Sequence, residues 1–337
     1  MYLLTARWDA AYSPRMGGER HGLTVIGDVG VDLVLGPISG WPRVGTETLI
    51  ERSELRAGGS AANAALAVSY LGGQSQLLSA VGNDEPGGWL ATQLQPLGAS
   101  LAVCDASTTL SVGLIDSCGE RTFFTTRGHL DAFSYEMLRP RIAPAPDRGA
   151  IALLSGVFLT PALRAAYPLL IRELHALGYQ VALDTNWPPQ DWSAGLRAEV
   201  AGWISACEHV LLNDLEVRSL ADSEDLSAAI DRLAPMLKRG AILVVKGGAR
   251  GALGIQDGHR YEQSAPQAVI FDTIGAGDSF NAGYLLARRD GAGLAESLAA
   301  GCEAATAIIA CFPRRSMAAG DLAGLRARPP VALEERA

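Results

Sequence analysis

The chain has 337 residues, 48% of them apolar and 19% charged; this is enough to bury the core of one large domain or two small ones and excludes wholesale disorder. Acidic residues outnumber basic ones 36 to 28 for a net charge of −8, which argues against a nucleic-acid groove. Lys238 and Lys246 are the two lysines and neither follows a glycine, so the Gly-Lys-Ser/Thr of a P-loop is absent.

Residues 1–20 carry Arg7, Asp9, Arg15, Glu19 and Arg20 around a short apolar start, unlike a secretory signal. They read as a disordered leader or an over-long start. Beyond them, short β-branched runs alternate with longer Ala- and Leu-rich segments of helical period. Strands are expected at 23–27, 76–81, 150–154, 180–184, 209–212 and 241–246. Helices are expected at 61–71, 89–96, 161–177, 226–238, 276–288 and 294–311. Such alternation predicts a mostly parallel sheet with helices on both faces.

Residues 31–55 and 109–126 break the rhythm with short strands and turns, and no helix. They are expected to meet as a small separate sheet over the strand ends, where open α/β sheets bind ligands, and so to form a lid. The main domain would span 21–315 and leave 316–337 as a C-terminal tail. No stretch approaches the ~18 apolar residues of a membrane span. Five cysteines without a C-x-x-C pair suit reduced thiols, and the five scattered histidines suggest no zinc site. The expected location is cytoplasmic.

Five strings could carry chemistry. In Asp272-Thr273-Ile274-Gly275-Ala276-Gly277-Asp278, a small-residue turn runs into a helix, whose unpaired first amides and dipole make an anion site. Asp278 in that first turn is either a dipole-favouring carboxylate or a proton acceptor beside a phosphate cradle. Gly58-Gly59-Ser60-Ala61-Ala62-Asn63 is either a tight connection capped by Ser60 or a close backbone approach to a polyol, with Asn63 reading hydroxyls. Asp28 and Asp32 at the end of the first strand suit hydroxyl recognition or a solvated turn. Asn213-Asp214-Leu215-Glu216 has capping-box spacing, yet its oxygens also suit Mg²⁺ through water. Lys246-Gly247-Gly248-Ala249-Arg250-Gly251 is either a hairpin turn or a backbone cradle for nucleotide phosphates.

In this order and together, the strings resemble the PfkB family of carbohydrate and nucleoside kinases, from about residue 23 to about residue 313. Asp272 to Asp278 matches its second signature, and Gly58 to Asn63 its first. The resemblance implies the ribokinase-like fold: a three-layer α/β/α domain with a mostly parallel central sheet and a small β-sheet lid. It implies ATP-dependent phosphorylation of a hydroxymethyl group on a sugar or sugar-like substrate, with Asp278 as base and Gly275, Ala276 and Gly277 as anion hole. By the same resemblance, Asp32, Gly58, Gly59 and Asn63 would grip the substrate. Asn186, Asn213, Glu216, Lys246, Gly248 and Gly251 would lie along the Mg-ATP side, Glu216 meeting Mg²⁺ through water. Asp272 would ligate a monovalent cation, usually K⁺, and two copies would pair through their lids.

Two positions depart from the family pattern. Trp187-Pro188-Pro189 follows Asn186 where many members place an arginine, and Gly30 stands where ribokinases carry a sugar-holding asparagine. A nucleoside kinase is the alternative within the fold, with Trp41, Phe123 and Phe124 as a base slot; the same rings could instead pack the lid or a dimer seam. A non-catalytic sugar-binding regulator would be expected to lack Asp278 or the Gly-Ala-Gly turn, and both are present.

Overall fold

The computed structural model describes residues 22–117, 121–270 and 272–311. The expected leader and tail, the lid-turn residues Cys118, Gly119 and Glu120, and Phe271 lie outside the described residues. The strands are β1 Leu23–Gly27, β2 Gly30–Ile38, β3 Arg52–Gly58, β4 Gln76–Gly82, β5 Ser100–Cys104, β6 Leu110–Asp116 and β7 Arg121–Thr125, then β8 Ile151–Ser155, β9 Gln180–Asp184, β10 His209–Asn213, β11 Ile242–Lys246, β12 Ala252–Gln256 and β13 His259–Gln263.

Nine of them form one sheet in the order β13-β12-β11-β10-β9-β8-β1-β4-β5. It is parallel from β11 to β5, and β12 and β13 add antiparallel hairpins at one edge. Every residue of β1 and β8 is buried, because helices cover both faces and a strand buried on both sides must read as a continuous apolar run. One face packs on helices Tyr167–Ala176, Ala194–Ile204, Asp214–Ala221 and Leu226–Leu233. The other packs on Ser60–Tyr70, Glu85–Leu94, Ala276–Arg289 and Leu294–Ile309.

The expected helix 161–177 is two helices, Pro161–Arg164 and Tyr167–Ala176. Pro168 explains the break: inside a continuous helix its ring would meet the Arg164 carbonyl. The expected helix 226–238 stops at Leu233, where Pro235 turns the chain into a 3₁₀ turn. Helix 89–96 begins earlier, at Glu85, capped by the Asp84 carboxylate, which accepts from Gly87 N–H at 3.0 Å. The sequence reading missed the eleven-residue helix Ala194–Ile204 and the two edge strands β5 and β13.

The segments around 31–55 and 109–126 do form a second sheet, ordered β3-β2-β6-β7. Its strands alternate in the way a one-sided sheet requires. Leu33, Leu55, Val112 and Phe124 share one face, and Leu55 and Phe124 stand 57% and 52% exposed. The opposite face, toward the large sheet, carries Asp32, Glu54, Arg52 and Arg56.

Candidate active site

All parallel strands of the large sheet end on one side, and their carboxyl ends deliver Asp28, Asp184, Asn213 and Lys246 to it. The helix Ala276–Arg289 starts beside them. Its first turn is entered through Gly275 at φ 73, left-handed backbone that glycine adopts without strain. Lys246 stands next to this turn: a Cβ placed on Gly277 would lie 3.5 Å from Nζ.

Asp278 is buried in that turn, and Asn63 Nδ2 donates to its Oδ2 at 3.1 Å. Burial pushes its carboxyl up to about 8; Asp184 adds repulsion, and Lys246 and the Asn63 bond pull the other way. Lys246 Nζ donates to Asp184 Oδ2 at 2.5 Å and to Asn281 Oδ1 at 3.3 Å, and Asn281 Nδ2 closes the triangle on Asp184. Burial alone would depress the Lys246 ammonium, but the Asp184 and Glu216 carboxylates outweigh it and hold it above the usual lysine value. Asp278, Asn63 and Lys246 thus come together as expected. Asp184 and Asn281 join them without having been singled out. Asn281 was legible, because three residues after Asp278 on a helix is the same face.

The residues expected on the substrate side also converge. Gly58 lies against Asp32, and a Cβ there would come 2.1 Å from the carboxyl carbon. Asp32 is buried and raised to about 7 by that burial; Arg56 opposes the rise and Asp28 adds to it. Gly59 sits at φ 92 with its would-be Cβ 2.6 Å from the Asp28 carbonyl. Ser60 does not cap the helix it opens. Instead Asp28 Oδ1 accepts from Ala61 N–H at 3.3 Å, so Asp28 is a cap reaching from the β1–β2 turn and not a solvated acid. Its burial raises it to about 6 against those backbone bonds.

The residues expected on the nucleotide side carry more structural work than the sequence suggested. Asn186, itself left-handed at φ 57, accepts from Gly156 N–H at 2.7 Å. Gly156 in turn leaves room for Asp28, since a Cβ would fall 1.8 Å from Oδ1. Asn213 and Glu216 form a complete capping box with both bonds at 2.8 Å. Glu216 is raised to about 7 by burial, then by Asp184, with Lys246 opposing. Gly248 and Gly251 shape the β11–β12 hairpin: Gly247 N–H bonds the Gly251 carbonyl at 2.7 Å, and Gly251 abuts the Gln263 carbonyl.

Asp272 Oδ1 accepts from Ile274 N–H at 2.8 Å, and Oδ2 lies 3.4 Å from Arg56 Nη1 and 3.9 Å from Arg52 Nη2. Arg121 of β7 donates to Thr273 Oγ1. The small sheet therefore touches the loop that enters the Gly275 turn from two of its strands. Among the described residues no group of three His, Cys, Asp or Glu is arranged to hold a metal ion. Mg²⁺ is reluctant to shed water and is commonly held by one or two carboxylates plus substrate phosphates; Glu216 and Asp184 beside the turn suit a metal that arrives with a nucleotide.

The pfkB family of carbohydrate kinases matches residues 21–316. The chain belongs to this family. It is accordingly a phosphotransferase that acts on a hydroxyl group. A fructokinase from Klebsiella pneumoniae is 31% identical over 255 residues, 72% of this chain and 80% of that protein. A nucleoside kinase from Methanothermobacter thermautotrophicus is 28% identical, covering 82% of this chain and 85% of its own. A ribokinase from Arabidopsis thaliana, solved with ribose and ATP, shares the fold at a TM-score of 0.70 and 21% identity over 92% of this chain and 100% of its own. No helix among the described residues is long and apolar enough to cross a membrane.

Proposed function

We propose that this family member transfers the terminal phosphoryl group of ATP to a hydroxymethyl group of a sugar or sugar-like substrate, with Asp278 as general base. The observation that carries the reading is the placement of Asp278. It is buried at a helix N-terminus, oriented by Asn63, and adjacent to both the glycine turn and the Lys246 ammonium. Phosphoryl transfer needs alignment and charge stabilisation more than covalent help. Asn63 and Asp32 would hold the sugar hydroxyls in the space that Gly58 and Gly59 leave, orienting the acceptor oxygen toward Asp278. Asp278 would take its proton as the new bond forms. The amides of Gly275 and Gly277 with Lys246 would meet the charge developing on the phosphoryl oxygens. Ala276 N–H already bonds the Thr273 carbonyl at 3.2 Å, so its part in the anion hole is to shape the turn.

Mg²⁺ would arrive on the nucleotide and offset phosphate charge, with Glu216 reaching it through water. Asn186, Asn213, Gly248 and Gly251 would border the nucleotide by positioning these groups. The small sheet acts as the lid, excluding water that would otherwise let ATP hydrolyse. Its apolar outer face, with Leu55 and Phe124, pairs with a second copy. An ATP-dependent kinase of this kind works in the cytoplasm. Of the three rings considered for a nucleoside base, Trp41 and Phe124 contact edge-on at 5.9 Å on that outer face, and Phe123 alone shares the face of Asp32; the three do not form one slot, which favours a sugar over a base. A coupled ADP-release screen over ketoses, aldoses, sugar acids and nucleosides tests the reading. ADP formation dependent on one of the sugars supports it; ATP binding with no acceptor-dependent turnover overturns it.

A further inference from the structure

The family resemblance makes Asp272 a ligand of a monovalent cation, and its surroundings here do not suit one. One carboxylate oxygen already takes the Ile274 amide and the other faces two guanidinium groups. Both arginines stand on β3 two register steps apart, on the face turned to the large sheet. Glu54 lies between them, 3.1 Å from Arg52 and 3.7 Å from Arg56. The side chains are well covered, 10% exposed for Arg56 and 2% for Asp272. Asp32 stands opposite Arg56 on the same face, so Arg56 is shared between Asp32, Glu54 and Asp272. A metal cation added there would meet two guanidinium groups at short range, in surroundings where charge repulsion is poorly screened. Arg56 Nη2 is moreover buried without an acceptor among the described residues.

We propose that the Arg52–Arg56 pair takes the place of the monovalent cation in this chain. The pair neutralises Asp272 and thereby holds the loop from Asp272 to Gly275, on whose shape the anion-hole amides depend. Each arginine reaches the same carboxylate oxygen through one nitrogen, so what the pair supplies at Asp272 is mainly positive charge. The arrangement also differs in consequence from a bound ion. The charge is supplied by the lid strand itself, and β3 leads directly into Gly58 and Gly59 against Asp32. Arg56 is therefore a positioning residue that links the sugar side of the cleft to the phosphate side.

The effect on turnover rests on the kinase reading; the occupation of Asp272 does not. The test compares the full chain in potassium, sodium and choline chloride at equal ionic strength. For the unaltered protein, the thermal midpoint and the initial rate with the best sugar should be the same in all three salts, within about twofold for the rate. Arg56→Met should lower kcat about tenfold in choline, and potassium should restore part of it. Arg56→Lys, which keeps the charge, should remain indifferent to the salt. Potassium-specific stabilisation or activation of the unaltered protein overturns the proposal, as does an Arg56→Met variant fully active in choline. Should Arg56→Met fail to fold, the salt comparison on the unaltered protein decides. Should no sugar be phosphorylated in any salt, the kinase reading falls, and the melting comparison still decides the cation question.

Discussion

The two sheets of this protein handle polar chemistry in opposite ways. In the large sheet, β1, β8 and most of β9 to β11 are buried throughout, so charge can appear only where the strands end. Asp28, Asp184 and Lys246 sit there, enclosed and paired. In the small sheet, β3 alternates and β7 is exposed along its length, so charge can spread along a whole face, as Asp32, Arg52, Glu54 and Arg56 do. A cluster at strand ends is held in place and desolvated, and burial there raises Asp28 to about 6. The charged face of the small sheet is covered as well, but its charges come from a separate sheet and reach across to Asp272. Phosphoryl transfer in general gains from fixed dipoles at the transition state and from a cover that excludes water.

The sharpest way to break the comparison is at the fixed end. Asp278→Asn keeps size and the Asn63 contact but removes the proton acceptor, and should cost roughly 10²–10⁴ in kcat. Nucleotide and sugar binding, measured by calorimetry on the same preparation, should be retained. A variant with near-normal kcat would leave Asp278 as a helix-terminal charge. Lys246→Met strikes the same cluster through stability, because it strands Asp184 and Glu216 in a buried site. Denaturant unfolding should show a loss of about 3 kcal/mol, and an unchanged midpoint would mean that the cluster is wetter than its burial indicates.

The third prediction concerns pH. Burial raises Asp28 to about 6, Asp32 to about 7 and Asp278 to about 8, from an ordinary 3.8. Between 3.8 and those values the folded chain holds protons that the unfolded chain has released, so stability must fall as pH rises through that window. Activity should move the other way: kcat/KM should climb toward pH 8 as Asp278 loses its proton. Thermal melts and rate profiles from pH 5.5 to 8.5 check both slopes, and a kcat/KM flat across that range would remove Asp278 from the base role.

The smallest effect is expected at the small sheet. Adding the substrate sugar should protect residues 31–55 and 109–126 from protease as the lid settles, with little change elsewhere. Equal cleavage with and without sugar would count against closure.

Much of the candidate site was legible because its signals are local. The turn from Asp272 to Asp278 places glycines, a helix start and a carboxylate within seven residues, and backbone conformation follows from near neighbours. The Asn213–Glu216 spacing announced its capping box for the same reason. The alternation of apolar runs was enough to indicate a parallel sheet with helices on both faces, and the two helix-free segments indicated a second sheet. Pro168 and Pro235 were visible too, and reading them as breaks would have corrected two helix ends.

What the chain alone left undecided was which side chains meet. Asn63 and Asp278 are 215 residues apart, Arg56 and Asp272 216, and Lys246 and Asp184 62. Each pair forms only because strand order brings those ends to one edge. The roles of Asp28 as a distant helix cap and of Gly156 as the space it occupies follow from the same packing. Proton affinities belong with these contacts: a carboxyl's desolvation depends on everything that covers it, and burial is a property of the assembled sheet and its helices. Local sequence therefore determined the glycine turn, the Asn213–Glu216 cap and most strands of this kinase, and only the tertiary structure decided which charges share a site and which face water.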